Sequence, residues 1–169
     1  GKYDADAEFN ATNGNVTFTG AGRLECSNTV TSLGTLSTAS GTVEYDGSAQ
    51  DVLADAYYNL EIDQSGTKTS QGTVTVAGNM TVQSAATYAV GATTTTVTGT
   101  SDINGTTSIS TGTYNADGSS DVDGTISITG TGKYDADAAF DATSGNVTFT
   151  GAGRLECSNT VTSLGTLST

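Results

Sequence analysis

The chain repeats its own beginning near its end, and this internal repeat constrains the fold more than any other feature. Residues 1–38 return as residues 132–169 with three changes. The changes fall at Glu8, Asn10 and Asn13. Residues 1–131 therefore form one full unit, and residues 132–169 begin the next unit, continuous with the first. Tandem near-copies are typical of proteins that grow in one direction by stacking like units.

Within the unit, a shorter period begins each time with a small polar residue and a glycine, followed by apolar residues at alternate positions. Three examples are Asn13-Gly14 before Val16, Ser40-Gly41 before Val43 and Asp123-Gly124 before Ile126. Gly14 to Gly145 gives about six steps of about 22 residues, a length typical of one solenoid coil. Alternation at period two predicts strands with one buried face, and glycine supplies the positive φ that a tight corner needs.

These features predict an all-β fold, a right-handed parallel β-solenoid (β-helix) of about six coils per repeat. The alternative is a string of tandem immunoglobulin-like β-sandwiches, which near-identical units also build. The solenoid is favoured because consecutive segments resemble one another and because the chain has no Trp and no Pro. In such a solenoid we expect Ile128 and Phe149 to point inward from neighbouring coils and Thr148 to point outward.

Four segments share a style of short Gly-rich and Asn-rich β repeats. They are Gly41–Gly47, Tyr57–Ile62, Ser65–Thr69 and Gly78–Val82. Together they resemble repeats of very large bacterial surface proteins, similar in style to filamentous-haemagglutinin-type adhesins. The resemblance implies a secreted parallel β-helix, located outside the cell or on its surface, that serves as a structural repeat of a filament, stalk or adhesin shaft. Because a solenoid exposes an unpaired coil at each end, we also expect end-to-end self-association, as a homopolymer or as a continuous fibre.

The chain is strongly acidic, with 5 Lys and Arg, 18 Asp and Glu, no His and a formal net charge of −13. Such a surface repels nucleic acid and anionic membranes, so neither is an expected partner. No apolar run approaches the ~20 residues that span a bilayer. Without histidine, Ser-His-Asp, Cys-His and zinc-His centres are excluded, and five cations are too few for a basic carbohydrate groove. We therefore expect no enzymatic activity.

Carboxylates provide the one candidate metal site. Asn115 and Asp117 are expected to lie one coil, about 4.8 Å, from Asp135 and Asp137. Like charges at that distance repel unless a cation, a proton or solvent screening intervenes. The candidate ligands are therefore Asp117, Asp135 and Asp137, and calcium is the candidate ion. Solvated acids without any metal are the alternative.

A column of outward Ser and Thr residues provides a second candidate surface. Its members are Ser108, Ser110, Ser127, Thr129, Thr148 and Thr150. The column resembles the threonine ladders with which some solenoid antifreeze proteins match ice. A carbohydrate- or ice-binding surface on the solenoid is therefore the alternative function, with a surface glycan as the corresponding partner. We expect Glu44, Asp46, Glu61 and Asp63 to interrupt this column.

Overall fold

The computed structural model describes residues 1–37 and 39–169, which form a spiral of short parallel strands. Thr38, the last residue of the first copy, lies outside the described residues. Residues 1–37 and 39–169 contain no helix. Alternating β-branched residues and frequent glycines favour this arrangement, since they suit extended strands and tight corners and disfavour helix.

Twenty-six strands cover the described chain. The first thirteen are β1 (Lys2–Ala5), β2 (Phe9–Asn10), β3 (Asn15–Val16), β4 (Arg23–Cys26), β5 (Val30–Ser32), β6 (Thr35–Leu36), β7 (Thr42–Tyr45), β8 (Gln50–Val52), β9 (Ala56–Tyr57), β10 (Asn59–Ile62), β11 (Gly66–Ser70), β12 (Val74–Val76) and β13 (Met80–Val82). The others are β14 (Ala86–Val90), β15 (Thr94–Val97), β16 (Ser101–Ile103), β17 (Thr106–Ile109), β18 (Thr113–Ala116), β19 (Ser120–Val122), β20 (Thr125–Gly130), β21 (Lys133–Ala136), β22 (Phe140–Asp141), β23 (Asn146–Gly151), β24 (Arg154–Cys157), β25 (Val161–Ser163) and β26 (Thr166–Ser168).

Strands of successive coils pair in parallel and build three long sheets, one on each face of the solenoid. Sheet 1 contains every third strand from β1 to β25, sheet 2 every third strand from β8 to β26, and sheet 3 every third strand from β9 to β24. Two-stranded sheets, β2 with β5 and β3 with β6, occupy the other two faces of the first two coils. Three strands complete a coil, so the chain makes about eight coils. The parallel pairing confirms the predicted β-solenoid and excludes the antiparallel sandwich.

The core is a continuous column of apolar side chains that includes five fully buried tyrosines. They are Tyr45, Tyr57, Tyr88, Tyr114 and Tyr134. The hydroxyl of Tyr114 donates to Ser101 Oγ at 3.0 Å, and that of Tyr134 donates to Ser120 Oγ at 2.9 Å. Because the two tyrosines are neighbours in sheet 3 and the two serines are neighbours in sheet 1, the same hydrogen-bonded pair crosses the core in consecutive coils. Each buried phenol is thereby spared the cost of an unmade hydrogen bond.

The two copies of the repeated segment lie on different faces. Lys2–Ala5 is β1 in sheet 1, whereas Lys133–Ala136 is β21 in sheet 3. Since β21 is the twentieth strand after β1, the unit spans six coils and two further strands. The unit thus contains the predicted six or so coils, and its two further strands move the second copy to another face. The sequence does not show this change of face, because strands of different sheets follow the same pattern of a glycine and then alternating apolar residues. Gly41, for example, precedes a strand of sheet 1, whereas Gly124 precedes a strand of sheet 2.

Among the residues that the structure describes, sheet 1 alone crosses the junction between the second and third coils, and β8 and β9 pair there with the coils that follow them. The side chain of Gln50 bridges this break. Its Nε2 donates to the carbonyls of Cys26 at 2.7 Å and Asn28 at 2.6 Å, and its Oε1 accepts from the N–H of Gly47 at 2.6 Å. One amide side chain thus adds three hydrogen bonds to main-chain groups of the two coils, and the Cys26 carbonyl also accepts from the N–H of Asp46 at 3.1 Å.

Lys68 occupies the inward position next to Gln50 in the following coil. The residue is fully buried, and its Nζ donates to the main-chain carbonyls of Asp63 and, at 2.7 Å, Gln64. Burial lowers the pKa of this ammonium, although the charges of Asp63 and Asp46 act in the opposite direction. The lysine therefore holds a corner of the spiral from inside, with its charge compensated by carbonyl oxygens.

Candidate functional site

The carboxylates predicted as metal ligands lie along sheet 3. Asn115 and Asp135 are register partners in β18 and β21, as expected from the sequence. Asp117 and Asp137 follow directly after these two strands, and their main-chain N–H groups donate to carbonyls of the preceding coil at 2.9 Å each. The structure therefore brings Asn115 and Asp135 together and places the other two acids at equivalent points of adjacent coils.

Protein groups already neutralise part of this column. Lys133 Nζ lies 2.6 Å from Asp135 Oδ2 and 3.2 Å from Glu156 Oε2, so it bridges two successive coils. Asn115 Nδ2 donates to Asp117 Oδ1 at 2.7 Å. Asp137 is exposed. A calcium ion would have to compete with the lysine for Asp135, and calcium binding at Asp117, Asp135 and Asp137 stays a prediction.

A longer acidic column, which no fixed sequence period predicts, follows the outer face of sheet 1. Seven carboxylates and one threonine occupy consecutive register positions. In order, they are Asp4, Glu25, Glu44, Glu61, Thr81, Asp102, Asp121 and Asp141. Their separation along the chain varies between 17 and 21 residues, so only the strand register aligns them.

Arg23 neutralises the first half of the sheet 1 column. Its Nη2 lies 2.5 Å from Glu44 Oε2 and 2.7 Å from Glu61 Oε2. Burial raises the pKa of Glu44, although the hydrogen bond and charge of Arg23 lower it. One carboxylate oxygen each from Glu44, Glu61 and Asp63 lies within 4.8 Å of the others, which is close enough to share a metal ion. The guanidinium already binds two of these three groups, so the cluster is an ion-pair network of the protein itself.

The second half of the column carries acids without a compensating cation in the part of the chain that the structure describes. No salt bridge there involves Asp102, Asp121 or Asp141. Partial burial raises the pKa of Asp121, and the charges of Asp123, Asp102 and Asp141 raise it further. These acids therefore repel one another at neutral pH, and the repulsion falls as salt screens it.

Sheet 2 presents an outer surface of hydroxyl groups. One column contains Thr69, Ala89, Ser108, Ser127 and Thr148, and the next contains Thr67, Thr87, Thr106, Thr125 and Asn146. The predicted alignment of Ser108, Ser127 and Thr148 is thus confirmed. The prediction that carboxylates interrupt the column is wrong, because Glu44 and Glu61 belong to sheet 1 and Asp46 and Asp63 directly follow the same two strands.

Both ends of the solenoid expose apolar residues. An open depression at the last coil is lined by Phe149, Leu155, Cys157, Val161, Leu164 and Leu167. A depression at the first coil is mixed: its lining residues include Tyr3, Phe9, Val16, Phe18 and Leu24 and also Lys2, Asn15, Thr17, Thr19 and Arg23. Phe149 was expected in the core beside Ile128; the two are register partners, but Phe149 is only half-buried because it borders this open end. Exposed apolar surface of this kind marks a site of contact with other chains or coils.

The two thiols are free and belong to different faces. Cys26 is buried in sheet 1, and burial raises its pKa to about 12. Cys157 lies in sheet 3 at the open end and is half-buried. A buried thiol with a raised pKa is a poor nucleophile, so Cys26 acts as a small core residue.

The geometry defines the class of the chain as a parallel β-solenoid with one acidic face, one hydroxyl face and apolar residues exposed at both ends. No family model, no curated protein and no solved structure matches the chain. Within residues 1–37 and 39–169, no helix is long and apolar enough to cross a membrane.

Proposed function

We propose that this chain is a section of a rigid extracellular shaft, in which coils continue in both directions and the function is mechanical. The observation that carries the proposal is the complementary burial of the two copies. Tyr3 is 63% exposed but its counterpart Tyr134 is fully buried, whereas Leu33 is 1% exposed and its counterpart Leu164 is 40% exposed. Each of these apolar side chains is buried where another coil packs against it and exposed where none does. The repeated segment is therefore suited to a stack with a neighbouring coil on each side.

Stacked coils would give such a shaft its stiffness. Every long sheet runs parallel to the axis of the spiral, and each coil adds main-chain hydrogen bonds to the coils before and after it. The inward ladder of Leu, Ile, Val and Tyr buries apolar surface along the same direction. The outer acids keep neighbouring shafts apart through their negative charge. An extracellular location agrees with the resemblance to bacterial surface repeats.

End-to-end association of the chain tests this proposal. We expect sedimentation velocity to show mass increasing with concentration, and electron microscopy to show rods of constant width whose lengths are multiples of one chain. Leu167→Lys places a charge on the apolar end and should block growth. Ser168→Lys is the matched control, because Ser168 follows Leu167 in the same strand and points to the other side. A chain that stays monomeric at its highest soluble concentration contradicts the proposal.

Ice binding is the second candidate function, and the outer face of sheet 2 favours it, because eight of the ten positions in its two columns are Ser or Thr. From β11 to β23 no charged side chain occupies an outer position of this sheet in the described residues. The two columns form a regular array, with about 4.8 Å between coils and about 7 Å between alternate residues of a strand. We expect Thr125→Lys on sheet 2 to abolish inhibition of ice recrystallisation, and Thr81→Lys on sheet 1 to leave it intact. Absence of inhibition by the unchanged chain would exclude this function.

A further inference from the structure

The open end near residue 169 has the shape of a step, because its three sheets end at different heights. Sheet 1 ends with β25 and sheet 2 ends with β26, whereas sheet 3 ends with β24. The strands of the spiral visit sheets 1, 2 and 3 in turn. The next place on the spiral after β26 is therefore in sheet 3, against the unpaired edge of β24.

The first coil of a second copy fits this step. If β1 continues sheet 3 in the register that β21 has with β24, Tyr3 meets Leu155 and Ala5 meets Cys157. β2 then meets β25 and β3 meets β26. These contacts bring together the same residue types that consecutive coils of the chain already pair, such as Tyr134 with Leu155 and Phe140 with Val161, with the order of the two strands along the axis reversed. The apolar surfaces exposed at the two ends would be buried together.

Charges select the same arrangement. In this solenoid a cation that begins a strand pairs with a carboxylate two positions later in the strand of the next coil. Lys2 does so with Glu25, Arg23 with Glu44 at 2.5 Å, and Lys133 with Glu156 at 3.2 Å. The next such cation, Arg154, is 66% exposed, and within residues 1–37 and 39–169 its one ion pair is with Glu156 of its own strand, at 2.7 Å. With β1 on β24, Asp4 of the second copy would supply the missing partner.

We infer that the partner of the open end is a second copy of this chain. Its first coil could be placed in three rotations about the solenoid axis, and the one it adopts pairs β1 with β24, β2 with β25 and β3 with β26. The inference rests on the proposed end-to-end stacking and specifies its geometry. Since β1 belongs to sheet 1 and β24 to sheet 3, the second copy is turned by one face about the shared axis. The turn continues the offset between the two copies within the chain.

Disulfide trapping tests the rotation, because Cys157 already lies in β24. Ala5→Cys, combined with Cys26→Ala to remove its intramolecular neighbour, places a thiol opposite Cys157 of the adjacent copy at a Cα distance of about 5 Å, within disulfide range. We expect oxidation to give a ladder of linked multimers joined between positions 5 and 157. Adding Cys157→Ser should abolish the ladder. Circular dichroism of each variant checks that the β-solenoid is retained.

The controls separate the rotation from the stacking itself. Phe9→Cys and Val16→Cys, each with Cys26→Ala, place the thiol on β2 or β3, away from Cys157 in the proposed rotation. Multimers linked through position 9 or 16 but not 5 would overturn the rotation and leave stacking intact. Monomeric chains in every variant and in the unchanged protein would overturn both.

Charge reversal gives a measurement that is independent of the cysteines. Arg154→Glu and Asp4→Arg should each raise the dissociation constant about tenfold at low salt, and the double variant should restore it. If the double variant associates no better than the single variants, Arg154 and Asp4 do not meet and the proposed rotation is wrong.

Discussion

Tyr134 and Tyr3 provide a matched pair in which the same residue, in the same local sequence, has opposite burial. Tyr134 is fully buried, stacks on Tyr114 with ring centroids 4.9 Å apart, and donates to Ser120. Tyr134→Ala leaves a cavity worth about 3–5 kcal/mol, and the orphaned serine hydroxyl adds about 1–3 kcal/mol. We expect a total loss of about 4–8 kcal/mol. Tyr3→Ala removes a ring that is 63% exposed and should cost at most about 1 kcal/mol.

Equilibrium urea unfolding, followed by far-ultraviolet circular dichroism at a concentration where the chain is monomeric, measures both losses. Because solenoids also open locally, amide hydrogen exchange should show the loss of protection concentrated in β18 and β21. Tyr134→Phe isolates the hydroxyl and should cost about 1–3 kcal/mol. Equal destabilisation by Tyr134→Ala and Tyr3→Ala would refute the assignment of the two copies to covered and uncovered coils.

Three further predictions concern charge. Burial raises the pKa of Tyr88 from 10.0 to about 12. The unfolded chain therefore loses this proton first, so the free energy of unfolding should fall as the pH rises from 10 to about 12. Tyr88→Phe should reduce that fall, as measured by thermal melting at alkaline pH. Asp121→Asn relieves repulsion in the sheet 1 column and should raise the melting temperature at pH 7, with a smaller gain at high salt; an unchanged melting temperature would contradict this. If calcium binds near β21, the melting temperature should rise with calcium and fall with chelator, and Asp135→Asn with Asp137→Asn should remove the effect; a response no larger than that to sodium at equal ionic strength would exclude the metal.

The fold class was predictable because its physical signals are local. Alternation at period two gives the buried and exposed sides of a strand, and a glycine precedes the strand at the corner. The predicted positive φ is found at Gly41 but not at Gly14 or Gly124; at Gly124 a Cβ would instead clash with the carbonyl oxygen of Gly105 in the preceding coil. The adjacency of Asn115 and Asp135 was predictable for the same reason, since residues 114–117 and 134–137 have nearly the same sequence and lie one coil apart.

The assignment of strands to faces was not predictable, because each face has the same local pattern. Coil lengths vary between 17 and 21 residues along sheet 1, so the carboxylates at Glu44, Glu61 and Asp121 show no common sequence period. Only hydrogen-bonded register reveals that they share one column. The same ambiguity made Glu44 and Glu61 look like neighbours of the hydroxyl column, although these acids lie on a different sheet.

The junction between the second and third coils is the most compliant point of this solenoid, since two of its three faces lack strand pairing there in the described residues. A single such joint would bend in one preferred plane. In an array of identical units, each about 32 Å long, the offset of one face would rotate successive junctions by a third of a turn about the axis. Three units, about 96 Å, would make one full turn. The bending compliance of the shaft would then be the same in all directions around its axis, although each unit contains one weak junction.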